Sequence, residues 1–389
     1  MSKNPQTPAT PEPQKLNTTR IVAGEKPKRK LRTAEIIAVA ALVALIGAGA
    51  AVASVTAGNN NAAAPAPAPT QAATLKLGYF PNVTHAPALV GLQEGIFAKD
   101  LGATKLSTQA FNAGPSAIEA LNAGAIDAAY VGPNPAINSY VKSHGASIRI
   151  IAGATSGGAQ LVVKPSITSA AQLRGKVLAT PQLGGTQDVA LRSWLAGQGF
   201  KTTPDGGGDV TINPTDNAQT LKLFQDGKLD GAWLPEPWAS RLVLQAGAKV
   251  LVNEADLWDK GQFSTTVLIV NKSFLDAHPQ TVKDLLKGHE DSIQWLTTHK
   301  DQAAAVINAK LTAAAGKPLA QNVIDRSLAE LQFSPDPLAA TFPKLLEHGV
   351  AAGVTKQADI SGIFDLGPLN AVLKAAGQAP VSAAGLGTE

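Results

Sequence analysis

Beyond residue 74 the chain alternates short apolar runs with stretches whose apolar residues recur at helical spacing. That is the pattern of βα units built around a largely parallel sheet. Leu75–Phe80, Thr104–Ala110, Ile126–Val131 and Ser147–Ala154 read as strands. Thr84–Gly95, Pro115–Ala123 and Pro135–His144 read as the helices between them, the last two stopping at Gly124 and Gly145. The same order recurs about 100 residues later. Lys76-Leu-Gly-Tyr-Phe-Pro81-Asn82 aligns with Lys176-Val-Leu-Ala-Thr-Pro181-Gln182, and Gly124-Ala-Ile-Asp127 with Gly227-Lys-Leu-Asp230. Pro133-Asn134-Pro135 then matches Pro235-Glu236-Pro237, and Gly145-Ala146 matches Gly247-Ala248. Any two βα units share glycine and apolar placement, but matched Pro-x-Pro elements at a steady offset point to a repeat.

Two similar open α/β lobes are therefore expected, facing each other across a cleft at the carboxyl ends of their strands. The first lobe would begin with residues 74–164, the second would occupy 165–264, and 265–389 would return to the first. Two apolar runs flank the second copy, Leu161–Lys164 and Thr265–Asn271, and are expected to be the crossings that form a hinge. Helices such as Thr281–Leu286 and Asp301–Leu311 would then cover the first lobe.

Ahead of this body the pattern changes. Ile36–Ala57 contains 22 residues with no charge and no proline, long enough as a helix to cross a hydrocarbon layer of roughly 30 Å. Lys26, Lys28, Arg29, Lys30 and Arg32 stand just before it, which orients the N-terminus to the cytoplasm and the body to the outside. Residues 34–57 thus read as a signal anchor or as a cleaved signal peptide. The length of the span and of the preceding segment favours the anchor, and the small residues around Ala53 and Ala57 favour cleavage. Residues 1–33 read as a disordered basic tail, and 58–73, with Pro65, Pro67 and Pro69 alternating with alanine, as a semi-rigid spacer.

Charge sharpens this division. The chain carries +4 at neutral pH, but residues 1–33 hold eight Lys/Arg against Glu12 and Glu25, which leaves the rest slightly acidic. The body therefore has no concentrated basic field for nucleic acid. With no cysteine and six scattered histidines, disulfides, thiolate chemistry and recognisable metal-ligand spacings are all missing. No nucleophile elbow, phosphate loop or paired-carboxylate signature occurs either.

Several segments resemble, in order, the substrate-binding proteins of nitrate, sulfonate and taurine ABC importers. They are Gly78-Tyr-Phe-Pro-Asn-Val-Thr-His85-Ala-Pro, Phe111-Asn-Ala-Gly-Pro-Ser116, Gly124-x-Ile-Asp127, Ser156-Gly-Gly-Ala-Gln-Leu-Val-Val163, Leu173-Arg-Gly-Lys176 and Trp233-Leu-Pro-Glu-Pro-Trp238. The resemblance implies an α/β periplasmic-binding-protein type II fold that closes around one solute, with a hinge of two crossing strands. It also implies a permease and an ATPase as partners, a monomer, no cofactor and no catalysis. Family members in single-membrane organisms often carry a lipidated cysteine; here Ile36–Ala57 would take that place.

The expected ligand contacts are the small and polar residues at strand ends that precede helices. In the first lobe these are Tyr79, Asn82, Thr84, His85, Ser116 and Asn134, with Ser156 and Gly157 just before the hinge. In the second lobe they are Gln182, Gly185, Thr186, Glu236 and Trp238. Helix starts expose unpaired N–H groups that bind an oxyanion without a lysine. Ser116 with Glu119 also fits a capping box, and Thr186 fits ordinary capping. Glu236 would repel a bare anion but attract an amine, and Tyr79 and Trp238 could pack on an alkyl chain or a planar ring. The leading expectation is an aliphatic sulfonate or related small oxyanion. The alternatives are nitrate or a planar amine-bearing heterocycle in the same class of receptor, an enzyme on the same fold, and a membrane-tethered sensor. Fungal pyrimidine-synthesis enzymes resemble this family but use a cysteine-rich motif that this chain lacks.

Overall fold

The computed structural model describes residues 71–389. The basic tail, the apolar span and nearly all of the spacer lie outside the described residues. Among the described residues no helix is long and apolar enough to cross a membrane.

The first sheet starts with β1 (Thr74–Tyr79), whose alternating pattern buries Leu75 and Leu77. Helices α1 (Ala86–Gln93) and α2 (Ile96–Leu101) lead to β2 (Lys105–Ala110). Then come α3 (Gly114–Asn122), β3 (Ala128–Val131), α4 (Pro133–Lys142) and β4 (Ile148–Gly157). The second sheet takes β5 (Ala159–Val163), β6 (Val177–Thr180), α5 (Thr186–Gly197), β7 (Thr211–Pro214), α6 (Asn217–Gln225), β8 (Gly231–Pro235), α7 (Trp238–Ala246) and β9 (Lys249–Asn253). The chain returns through β10 (Ser264–Asn271), α8 (Lys272–Ala277), α9 (Pro279–Thr298), α10 (Lys300–Ala315) and α11 (Gln321–Ala329). It closes with β11 (Leu331–Phe333), α12 (Phe342–Ala351), β12 (Phe364–Asp365), α13 (Gly367–Ala375) and β13 (Gly387–Thr388).

The strand orders are β13-β12-β4-β10-β3-β1-β2, with β11 also on β4, and β7-β6-β8-β5-β9. Both sheets are mixed. β1 runs parallel to β2 and β3, and β6 parallel to β7 and β8, while β10 and β5 enter antiparallel beside β3 and β8. The two halves share this order, as the repeat predicts, and each opens on the same bond. Asp127 Oδ2 accepts the Lys76 N–H at 2.8 Å, and Asp230 Oδ2 accepts the Val177 N–H at 3.0 Å. Lys76 therefore corresponds to Val177, one residue later than the aligned Lys176, because strand pairing rather than residue likeness sets the register.

The expected crossings need correction. Leu161–Lys164 belongs almost wholly to β5, which pairs on both sides inside the second sheet, and Thr265–Asn271 is β10 inside the first. Continuous apolar runs are central strands. The chain changes sheet at Gly157 and Gly158, both with positive φ (81° and 70°). A side chain at Gly157 would come within 2.5 Å of the Glu330 carbonyl, so this crossing requires glycine. The return runs from Asn253 to Ser264 through two short 3₁₀ turns. The first-sheet segment thus ends at residue 157 rather than 164, and the second-sheet segment at 253 rather than 264.

The helices after β10 pack mainly on the first lobe. α9 buries Val282, Leu285, Leu286, Ile293 and Leu296 and packs on α1, α2 and α13. Two later helices reach further: α11 packs on α7, and α12 on both α4 and α5.

Candidate ligand-binding cleft

The facing strand ends enclose a narrow cavity between the lobes, about 30 Å³ in volume. That is two to three times the ~10–15 Å³ one water needs on this measure, so an organic solute enters only if the lobes part. Three helices of eight or more residues begin at its wall: α3 at Gly114, α5 at Thr186 and α6 at Asn217. The N–H groups of a helix's first turn have no intrahelical acceptor and sit at the positive end of its dipole. α4 also begins there, behind Gly132, but prolines at positions 133 and 135 remove two of its donors.

From the first lobe, His85 is fully buried behind the first strand. Its Nδ1 accepts the Phe80 N–H at 3.3 Å, which assigns the ring proton to Nε2. Burial lowers its pKa to about 3, so the ring is a neutral donor throughout the physiological range. Asn82 and Thr84 also line the cavity, with the Asn82 amide oxygen and the Thr84 carbonyl already engaged. Asn82 Oδ1 accepts the Trp238 indole N–H at 2.9 Å, and the Thr84 carbonyl accepts the hydroxyls of Thr155 (2.7 Å) and Thr266 (3.0 Å).

From the second lobe, Gly185 caps α5 and Thr186 opens it. This helix start is held by a buried ion pair. Asp188 accepts from Arg192 Nε (2.9 Å), the Gly184 N–H (3.0 Å) and Thr180 Oγ1 (2.9 Å). Thr186 is 5% exposed, and its Oγ1 lies at the cavity with no partner; Asn217 Oδ1 is likewise buried and unpaired. Across the cleft, a Cβ on Gly132 would stand 2.1 Å from Thr186 Oγ1, so the lobes approach this closely only because residue 132 has no side chain. Among the described residues that line the cavity, none is charged at neutral pH.

Of the expected contacts, Asn82, Thr84, His85, Gly185 and Thr186 meet at the cavity, and the others do not. Tyr79 is a buried core side chain of β1. Ser116 lies at the third position of α3, not at its cap. Its hydroxyl donates to the Ala113 carbonyl at 2.8 Å, and it borders an outer groove together with Gln182. No capping box with Glu119 forms there, because the helix starts two residues before Ser116. Asn134 points away, donating to the Leu345 carbonyl at 2.9 Å. Ser156 accepts the Phe263 N–H at 3.3 Å, and the Gly157 carbonyl accepts from Thr265 Oγ1, so both brace the crossing. Trp238 contacts Asn82 and carries Arg241 4.4 Å above its ring.

Glu236 is the largest departure. It is fully buried, with Oε1 3.0 Å from Arg326 Nη1 and Oε2 accepting from the Ser240 N–H (3.1 Å) and Ser327 Oγ (3.0 Å). Burial pushes its pKa up while Ser240, Arg326 and Ser327 pull it down. Its carboxylate braces α11 against the second lobe and does not line the cavity. Asn112, Gly132, Asn217, Thr265 and Thr266 do line it and were not singled out from sequence. Asn217 opens the helix after β7 as Gly114 opens the helix after β2, so the repeat could have found it had the two loops kept any likeness.

The chain is similar to known proteins over most of its described length. The chain is 27% identical over 235 residues to the taurine-binding periplasmic protein of Escherichia coli (strain K12), covering 59% of this chain and 69% of that one. It is 25% identical over 258 residues to the bicarbonate-binding protein CmpA of Synechococcus sp., covering 60% of this chain and 56% of that one. The solved alkanesulfonate-binding protein SsuA of Xanthomonas axonopodis pv. citri, bound to MOPS, superposes with a TM-score of 0.61 at 21% identity, over 74% of this chain and 96% of that one. The fold is thus the α/β periplasmic-binding-protein fold. The model of the NMT1-like family matches residues 68–312, and with that match over more than half its length the chain belongs to the NMT1-like family.

Proposed function

We propose that this protein is an extracytoplasmic solute-binding protein of an ABC importer. It captures an aliphatic sulfonate or a related small oxyanion between its lobes and presents it to a permease served by an ATPase. The observation that carries this reading is the uncharged cavity at which three helix starts converge around the unpartnered Thr186 hydroxyl. Oriented N–H groups and a neutral His85 suit a weakly hydrated monoanion, which needs several donors and no full counter-charge. The similarity to taurine-, bicarbonate- and alkanesulfonate-binding proteins supports the same class. The protein works as a monomer and without catalysis, and closure around the solute is the signal the permease reads. Residues 36–57 carry the body across the membrane and, left uncleaved, tether it there.

Calorimetric titration of the full chain with alkanesulfonates, nitrate and bicarbonate tests the reading. Saturable one-to-one binding of at least one of these oxyanions is expected. Failure of all of them, or turnover of a bound solute into a product, would overturn it.

A further inference from the structure

The charge balance around the cavity decides which oxyanions it accepts. An ammonium carries three donors and a full charge, and leaving water is costly unless acceptors and a counter-charge replace the lost hydration. The residues lining the cleft supply acceptors but no counter-charge. The one carboxylate that sequence places at the site, Glu236, has its oxygens occupied by Arg326, Ser240 and Ser327 and does not line the cavity. Asp188, behind α5, is bonded to Arg192, Thr180 and the Gly184 N–H. Asp216 stands outside in an adjoining groove, exposed and 3.4 Å from Asn112 Nδ2, where water screens it.

Neutral acceptors are present, but none of them carries a counter-charge. Asn82 Oδ1 and the Thr84 carbonyl are taken, as described above. Thr186 Oγ1 and the Asn217 amide oxygen are unpaired and buried, and the amides of Asn112 and Gln187 line the cavity too; each of these neutral groups can turn a donor towards an anion as readily as an acceptor towards an ammonium.

We propose that the cleft selects organic monoanions without an ammonium group, alkanesulfonates foremost, and rejects the aminosulfonate zwitterion taurine. The proposal rests on the cleft being the solute site and adds the substrate class to that reading. It runs against the name of one of the similar proteins, so it separates this chain's specificity from its ancestry.

The test compares two isosteres on the full chain by calorimetry at neutral pH: propane-1-sulfonate, and taurine, in which an ammonium replaces the terminal methyl. Propane-1-sulfonate is expected to bind at least a hundredfold more tightly. Equal or tighter binding of taurine would overturn the specificity while leaving the oxyanion reading standing. Binding of neither, nor of nitrate or bicarbonate, would overturn both. Glu236→Gln should leave the ratio of the two affinities unchanged, since that carboxylate meets no ligand. A selective loss of taurine binding in this variant would overturn the inference too. If the variant does not fold, the comparison on the unaltered protein decides alone.

Discussion

Trp238 of the second lobe donates its indole N–H to Oδ1 of Asn82 in the first lobe, 2.9 Å away. Each residue by itself suggests a ligand contact, one by its ring and the other by its amide. Together they form a latch between lobes beside the cavity that Asn82 lines.

Trp238→Phe keeps a ring beneath Arg241 but removes the donor. A net hydrogen bond contributes about 0.5–1.5 kcal/mol, so closure should weaken roughly twofold to tenfold. Apparent solute affinity should fall by the same factor, because only the closed form grips both sides of the solute. The melting temperature should fall only slightly, since Trp238 sits half-buried at the edge of the second lobe's core and phenylalanine keeps much of that apolar contact. Calorimetry and a thermal melt check the two halves of this expectation, and an unchanged affinity would exclude the latch.

Thr186→Val separates binding from folding more sharply. The hydroxyl is buried and unpartnered, so the isosteric methyl should leave stability equal or slightly higher. A hydrogen bond to a charged ligand is worth about 1.5–3 kcal/mol, so oxyanion affinity should drop by roughly tenfold to a hundredfold. If stability falls while affinity holds, the hydroxyl serves the fold rather than the solute.

How much of this was legible in sequence depends on the range of the interactions. The repeat announced two sheets of the same order, because Asp127 and Asp230 each sit at the start of a strand and bond to a neighbouring strand. The helix after β2 was visible from Pro115 to within one residue, but the caps fall on Ala113 and Gly185 and not on Ser116 and Thr186, because neither hydroxyl turns back to its own helix's free N–H groups. The crossing was misplaced because an apolar strand and an apolar hinge look alike until pairing is known, and the positive-φ glycines at 157 and 158 were the better signal. Glu236 was misassigned because its counter-charge, Arg326, lies 90 residues away. Asn217 was missed because the two loops share a place in the fold but no residues.

Arg326→Met should be among the most damaging single changes outside the cores. It would leave Glu236 buried without its cation, a loss of about 3–5 kcal/mol. Adding Glu236→Gln should recover much of that loss by removing the stranded charge. Denaturant unfolding of both single variants and the double variant gives the coupling directly, and additive losses would mean that the pair does not act as a unit.

Glu254 gives the pH dependence of the fold. It opens the return crossing and is fully buried, and its Oε2 accepts the Trp233 indole N–H at 2.8 Å. Burial raises its pKa from 4.5 to about 7, against the opposing indole bonds of Trp233 and Trp258. Below pH 4.5 the carboxyl is protonated in both the folded and the unfolded chain and contributes no pH dependence. Between 4.5 and about 7 the unfolded chain releases the proton while the folded protein keeps it, so stability falls as pH rises. At about 1.4 kcal/mol per pH unit, the decline across that window is on the order of 3 kcal/mol. Glu254→Gln keeps an acceptor for Trp233 and cannot ionise, so its stability should decline less over the same range. Urea unfolding of both proteins at pH 5 and pH 7.5 should show the variant gaining relative to the unaltered chain as pH rises. Parallel pH profiles would mean that Glu254 is ionised in the folded state, its charge met by water or a cation at the crossing.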